Sequence, residues 1–147
     1  MFDPNAFLSA TLTEPTTKRE PLPIGDYVAV IEKLEAKSWA KEGREGVYLE
    51  TFLGLQIPPD LQQSAGLSAS FTLKTTIFLD ITEQGNLDTS KGKNRALGMY
   101  REALDMNKTG DTFSPNAMVG RTILAKLGHK VSDKGIFEEI TGVAKLA

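Results

Sequence analysis

The chain has no cysteine, which removes disulfides, thiol nucleophiles and every zinc site built on cysteine, zinc knuckles and zinc deaminase centres included. Its single histidine, His129, has no second imidazole and no nucleophilic serine motif to work with, so it reads as a polar residue at a strand end. No long apolar run exists. The longest is Tyr27 to Ile31, five residues, against the roughly 18 that a membrane-spanning helix needs. The N-terminus lacks a basic start followed by an apolar stretch, and Glu14, Lys18, Arg19 and Glu20 interrupt any candidate. No secretory signal and an intracellular protein are therefore expected, which makes Asn107-Lys108-Thr109 a chance sequon. A Walker loop is also missing. Around Lys91-Gly92-Lys93-Asn94 the required first glycine is replaced by Leu87, and the Ser or Thr by Asn94. Asp80, Glu83 and Asp88 lack the spacing of an EF-hand and read as turn carboxylates. Neither an enzyme nor a metal or other cofactor is expected.

What is present suits one globular domain. Hydrophobic residues make up 40% and charged residues 24% of 147 positions, enough apolar material for a core. The net charge is only −2, but it is unevenly spread. Residues 1–36 carry three basic and six acidic side chains, and residues 50–90 carry Lys74 against five acids. By contrast, Lys91, Lys93, Arg95 and Arg101 occur without an acid between them, and Arg121, Lys126, Lys130 and Lys134 face only Asp133. Such a bipolar chain can carry an anion-binding face on an acidic body, although short charge runs are also simply solvated surface.

Residues 1–23, rich in Thr and Pro with one apolar cluster at Ala6-Phe7-Leu8, read as an arm preceding a domain over residues 24–147. From Gly25 to Lys37 the sequence is β-rich, and the alternation Tyr27, Ala29, Ile31 changes phase before Leu34, which predicts a bulge. A charged turn at 41–46 leads to a second strand. There Val47, Leu49, Thr51, Leu53 and Leu55 alternate with Tyr48, Glu50, Phe52 and Gly54. Pro58-Pro59 ends it, and a polar loop precedes a third strand with Phe71, Leu73, Thr75, Ile77 and Leu79 on one side. Helical spacing of Leu97, Tyr100, Ala103 and Leu104 predicts one amphipathic helix near 90–106, capped by Thr89 or Ser90. Arg121–His129 and Ile136–Val143 read as the fourth and fifth strands.

Three strands, a helix and two strands is the element order of the OB-fold, a five-stranded barrel that binds oligonucleotides or oligosaccharides on its second and third strands and adjoining loops. With the odd-numbered residues of those strands in the core, Tyr48, Phe52, Lys74 and Phe78 point outward. Aromatics beside a cation supply what single-stranded nucleic acid needs, since every base has a π-face and every linkage a negative charge. The first loop adds Lys37, Trp39, Lys41 and Arg44, the last adds Lys130 and Lys134, and Lys126 lies on the solvent side of the fourth strand. Phe52 and Phe78 can equally pack beneath the arm or at a subunit interface. Lys91, Lys93 and Arg95 at the helix start oppose the macrodipole; they either hold a phosphate or pair with Asp80, Glu83 or Asp88.

The chain also resembles a family of tailed-bacteriophage proteins from replication and recombination modules, treated as OB-fold single-stranded DNA-binding proteins. The resemblance rests on Phe2-Asp3-Pro4-Asn5 with Phe7-Leu8, Pro21-Leu22-Pro23-Ile24-Gly25-Asp26-Tyr27, and Gly92-Lys93-Asn94-Arg95. It continues through Arg101-Glu102-Ala103-Leu104, Met118-Val119-Gly120-Arg121, Gly128-His129-Lys130 and Glu139-Ile140-Thr141-Gly142-Val143. It implies sequence-nonspecific binding of single-stranded DNA during phage genome replication or recombination, in the host cytoplasm, with replication or recombination proteins and further copies of the chain as candidate partners. The end Gly142 to Ala147 lacks the acidic tail of many replicative single-strand binders, so recruitment through such a tail is not implied. The alternative from a different class is a protein-interaction module that recruits or inhibits a phage or host protein through its acidic surface and arm.

Overall fold

Alternation along the strands becomes one antiparallel sheet in the computed structural model, which describes residues 1–146. Its elements are β1 (Gly25–Lys41), β2 (Arg44–Gln56), α1 (Pro59–Ala65), β3 (Ser70–Phe78), α2 (Arg95–Ala103), β4 (Thr122–Ser132) and β5 (Gly135–Ala144), with 3-10 turns at Pro4–Ser9 and Pro115–Met118. The strand order is β3-β2-β1-β4-β5, and every neighbouring pair is antiparallel. The outermost strands, β3 and β5, approach each other without forming a hydrogen-bonded ladder, so the sheet is not closed. No helix among the described residues is long and apolar enough to cross a membrane.

The expected bulge is there. Between Ile31 and Lys33 the β1–β2 register shifts by one residue, leaving Glu32 without a partner. Because side chains alternate with period two, one extra residue exchanges the faces of everything after it. Tyr27, Ala29 and Ile31 point into the core before the bulge, whereas Lys33, Glu35, Lys37 and Trp39 lie on the outer face after it. Gly25–Val30 of β1 pair with β4 and Ala29–Lys41 with β2, so the two ladders overlap only at Ala29 and Val30 and beyond Ile31 the only partner of β1 is β2. β2 stays paired with β3 as far as Tyr48, so only the end of the β1–β2 hairpin, past the Lys37–Tyr48 pair, runs beyond the β2–β3 ladder. Its turn is two residues, Glu42 and Gly43, both with positive φ (51° and 76°), as a tight primed hairpin turn requires. The expected loop over 41–46 is thus corrected: Lys37, Trp39 and Lys41 belong to β1 and Arg44 to β2. The β4–β5 connection is equally short, and Lys130 stands within β4.

Leu22, Ile31, Leu53, Leu55, Ile77, Met118 and Ile123 are fully buried at the centre of the core. Helix α2 covers one end of it with Leu97, Tyr100 and Ala103. It starts five residues later than Ser90, an expected cap that is engaged elsewhere. Ser90 donates through N–H and hydroxyl to the Asp88 carboxylate at 2.9 and 2.5 Å. Asn94, in the left-handed region at φ 53°, ties itself to Asp80. Its N–H donates to Asp80 Oδ2 (2.7 Å), its Nδ2 donates to the Asp80 carbonyl (2.9 Å), and its Oδ1 accepts from the Asp80 N–H (2.9 Å). The polar loop after β2 also contains a helix the alternation did not reveal. In α1, Pro59 occupies the first turn, where its fixed φ suits helix initiation and its missing N–H costs nothing.

The arm is not free along its whole length. Arg19 pairs with Glu138 of β5 through both carboxylate oxygens, at 2.5 and 2.9 Å, while its guanidinium lies 4.9 Å from the ring centroid of Phe71 on β3. Three residues on, Leu22 is fully buried. Its N–H donates to Glu138 Oε2 (3.0 Å), and its carbonyl accepts from His129 Nε2 (2.6 Å). Residues 19–22 thus bridge the gap between β3 and β5, using side chains where a strand ladder is missing. Residues 1–18 are exposed throughout, with Phe2 and Phe7 packed edge-on, 6.4 Å between centroids.

Candidate nucleic-acid interface

Odd-numbered residues of β2 and β3 face the core, as alternation predicts, so their even-numbered residues form the outer face together with the shifted half of β1. The two registers place three cross-strand rows on it. Lys37, Tyr48 and Phe78 form one, Glu35, Glu50 and Thr76 the next, and Lys33, Phe52 and Lys74 the third. Beyond the first row Trp39 stands opposite Gly46. A Cβ on Gly46 would lie 2.5 Å from the indole Nε1, so the ring rests against bare backbone, a position only glycine opposite it permits. At the other end the Glu32 side chain lies over Gly54 in the same manner and accepts a hydrogen bond from Thr72 Oγ1 at 2.6 Å.

Aromatic surface and cations are interleaved here. Tyr48 and Phe78 pack with centroids 5.9 Å apart and planes inclined by 52°, and Phe78 is 63% exposed. Phe52 has Lys33 Nζ at 4.6 Å and Lys74 Nζ at 5.8 Å from its centroid, cation–π distances that hold both ammonium groups near the ring. The arm's contacts with the sheet are elsewhere, at Phe71 of β3, His129 of β4 and Glu138 of β5. Between the aromatic rows lies Glu50, whose Oε2 pairs with Lys37 Nζ and whose Oε1 is 3.1 Å from Lys74 Nζ. Glu35 extends the chain of charges, 2.7 Å from Lys33 and 3.7 Å from Lys37. The two lysines donating to Glu50 hold its carboxyl below the usual range, and Glu50 in turn raises Lys37.

Of the residues singled out from sequence, Lys37, Trp39, Tyr48, Phe52, Lys74 and Phe78 converge on this face. Lys41 and Arg44 flank the hairpin turn next to Trp39 and face each other across the ladder. Lys126 and Lys130 do not join them. They lie on β4, opposite Asp26 and Phe137 respectively, whereas β4 pairs only with the part of β1 that precedes the bulge. Lys93 and Arg95 occupy a separate cleft of ≈ 710 Å³ along α2, lined also by Arg101, Met99 and Phe113. The expected pairing of Lys91, Lys93 or Arg95 with Asp80, Glu83 or Asp88 is corrected: among the described residues none of the three cations is in an ion pair. The upstream carboxylates of Asp80 and Asp88 are already engaged by Asn94 and Ser90.

Lys33, Glu35 and Glu50 are the members of the face that sequence reasoning missed. Carrying the phase change at the bulge through the rest of β1 identifies the first two. His129, read as a strand-end polar group, is the donor that fixes Leu22. No family model matches the chain, and no curated protein is detectably similar to it.

Proposed function

We propose that the protein binds single-stranded DNA, without sequence preference, across the outer face of β1, β2 and β3. The observation that carries this reading is the pair of half-buried Tyr48 and exposed Phe78 and the lysine-flanked Phe52, with Trp39 laid against Gly46, on one continuous face. Bases stack on such rings irrespective of identity, and adjacent cations meet the linkages between them. Rings lying open on a sheet face stack on unpaired bases, whose π-faces a duplex keeps covered, which favours single strands. The strand order and the helix between β3 and β4 agree with an OB-fold whose barrel is left open between β3 and β5, and this is the fold assignment we favour. No catalytic step is part of the reading. Its biological setting, inferred from the sequence resemblance alone, is phage genome replication or recombination in the host cytoplasm.

The test is fluorescence anisotropy with a labelled oligo(dT) over a range of salt, with duplex of the same length as competitor. Binding that favours the single strand and weakens with salt is the expected result. Equal affinity for duplex, or no binding at low salt, overturns it. One observation favours a protein partner instead: Phe2, Phe7, Leu8 and Leu12 of the arm are all exposed. If the full chain ignores oligonucleotides, that reading takes precedence.

A further inference from the structure

Two ammonium groups from different strands converge on one point of the face, and what they converge on is a carboxylate. Lys37 on β1 and Lys74 on β3 reach inward to Glu50 on β2, one to each oxygen. The carboxylate is well enclosed, with its side chain 13% exposed, while the lysines remain 44% and 61% exposed. Along β2 the neighbouring outward residues are Tyr48 and Phe52, each two positions away, or roughly 7 Å at the rise of an extended strand. An anion held by two cations, with a stacking surface to either side, is the local layout of a nucleotide linkage between two stacked bases.

We infer that the Glu50 carboxylate holds the place of a phosphodiester, so that Lys37, Lys74 and the space Glu50 now fills form a subsite for one linkage of the bound strand. The inference rests on the nucleic-acid reading above and adds to it the position of one phosphate and a residue that opposes binding. In the free protein Glu50 neutralises the two lysines and keeps both extended chains pointing to the centre of the face. On binding, the ammonium groups exchange carboxylate for phosphate while Glu50 turns aside into solvent. The cost of that exchange lowers affinity and makes release easier. It also explains how an acidic chain presents lysines among its aromatics without exposing an unpaired cationic cluster.

Glu50→Gln keeps size and shape and removes the charge. With oligo(dT) of about 12 nucleotides, within the range occupied by one OB-fold, this variant is expected to bind about three- to tenfold more tightly than wild type at low salt. Its plot of log affinity against log salt is expected to steepen by up to about 0.7, the increment for one more phosphate neutralised on a single strand. Asp60→Asn on α1 removes the same charge away from the face and is expected to leave both quantities unchanged. Replacing Lys37 and Lys74 together by Gln is expected to abolish the gain from Glu50→Gln.

A Glu50→Gln protein that folds normally by circular dichroism and binds no better than wild type overturns the subsite. So does an equal gain from Asp60→Asn, which reduces the effect to net charge. If wild type binds no oligonucleotide, the nucleic-acid reading itself fails, a different result from the first two. A measurement on the unmutated protein covers misfolding of the variant: the Glu50 side-chain carboxyl carbon, followed by NMR through a pH titration, is expected to titrate higher with oligo(dT) bound. An unchanged midpoint with the strand bound overturns the inference.

Discussion

Glu138 and Glu50 are both strand carboxylates with basic partners, yet they have opposite characters. Glu138 lies behind the arm with its side chain 5% exposed; it receives both arms of the Arg19 fork and the Leu22 N–H, and its carboxyl is pushed down to about 2. Glu50 lies among rings on the outer face, its side chain 13% exposed, and meets two lysines that are themselves about half exposed. A planar guanidinium bound to both oxygens is geometrically locked, whereas ammonium groups on four-carbon stems form point contacts that exchange readily. The first carboxylate closes a fold. The second stands where a ligand can replace it.

Truncating the residue that the first cluster secures has the largest expected effect. Leu22→Ala removes a fully buried side chain and is expected to cost about 2 to 5 kcal/mol of stability, read as a shift in urea midpoint. A loss below about 1 kcal/mol contradicts the view that residues 19–22 complete the core.

Acid tests the same clamp without a mutation. Because the folded Glu138 pKa is depressed from 4.5 to about 2, its contribution is fully present above the unfolded value and is lost as pH falls through the interval between them. The loss is about 3 kcal/mol for a shift of this size. Glu138→Gln is expected to flatten that part of the stability profile, and an identical acid slope in the two proteins refutes the assignment.

The other side of the comparison is tested by binding. Trp39→Ala and Tyr48→Ala are each expected to weaken oligonucleotide affinity by about 1 to 3 kcal/mol, the usual worth of one stacked base, with stability nearly unchanged. Trp39 is the only tryptophan, so quenching of intrinsic fluorescence reports directly on the hairpin end of the face. Unaltered affinity in both variants moves the stacking surface elsewhere.

Smallest of all is the electrostatic increment. Wild type with three or four phosphate contacts is expected to show a salt slope of about −2 to −3, and Lys74→Gln to reduce its magnitude by somewhat under one unit. Lys145→Gln, on the chain's far end beside Asp105, is expected to change nothing. A change at Lys93→Gln or Arg95→Gln but not at Lys74→Gln shifts the path of the strand to the α2 cleft.

Much of this face is legible in the amino-acid sequence, because strand alternation is a local property. Leu49, Leu53 and Ile77 identify the inward side of β2 and β3, and the outward side follows residue by residue. The phase change before Leu34 likewise announces the bulge. Helix limits are less legible, since Thr89 and Ser90 are good caps by type but Asp88 and the following turn engage Ser90 first. The pairing of Arg19 with Glu138 lies 119 positions apart along the chain, and no local pattern signals it.

The amino-acid sequence by itself determined the five strands, the side of each that enters the core, the bulge in β1 and the outward placement of Tyr48, Phe52, Lys74 and Phe78, because each depends on period, propensity and neighbouring residues. Only the tertiary structure decided that Lys37 and Lys74 meet at Glu50, that Trp39 rests on Gly46, that Lys126 and Lys130 belong to another part of the sheet, and that the arm bridges β3 and β5. Those outcomes depend on register between strands and on which distant side chains share a burial site. Register and burial are set when the core assembles and removes apolar surface from water, and no single segment carries that information alone.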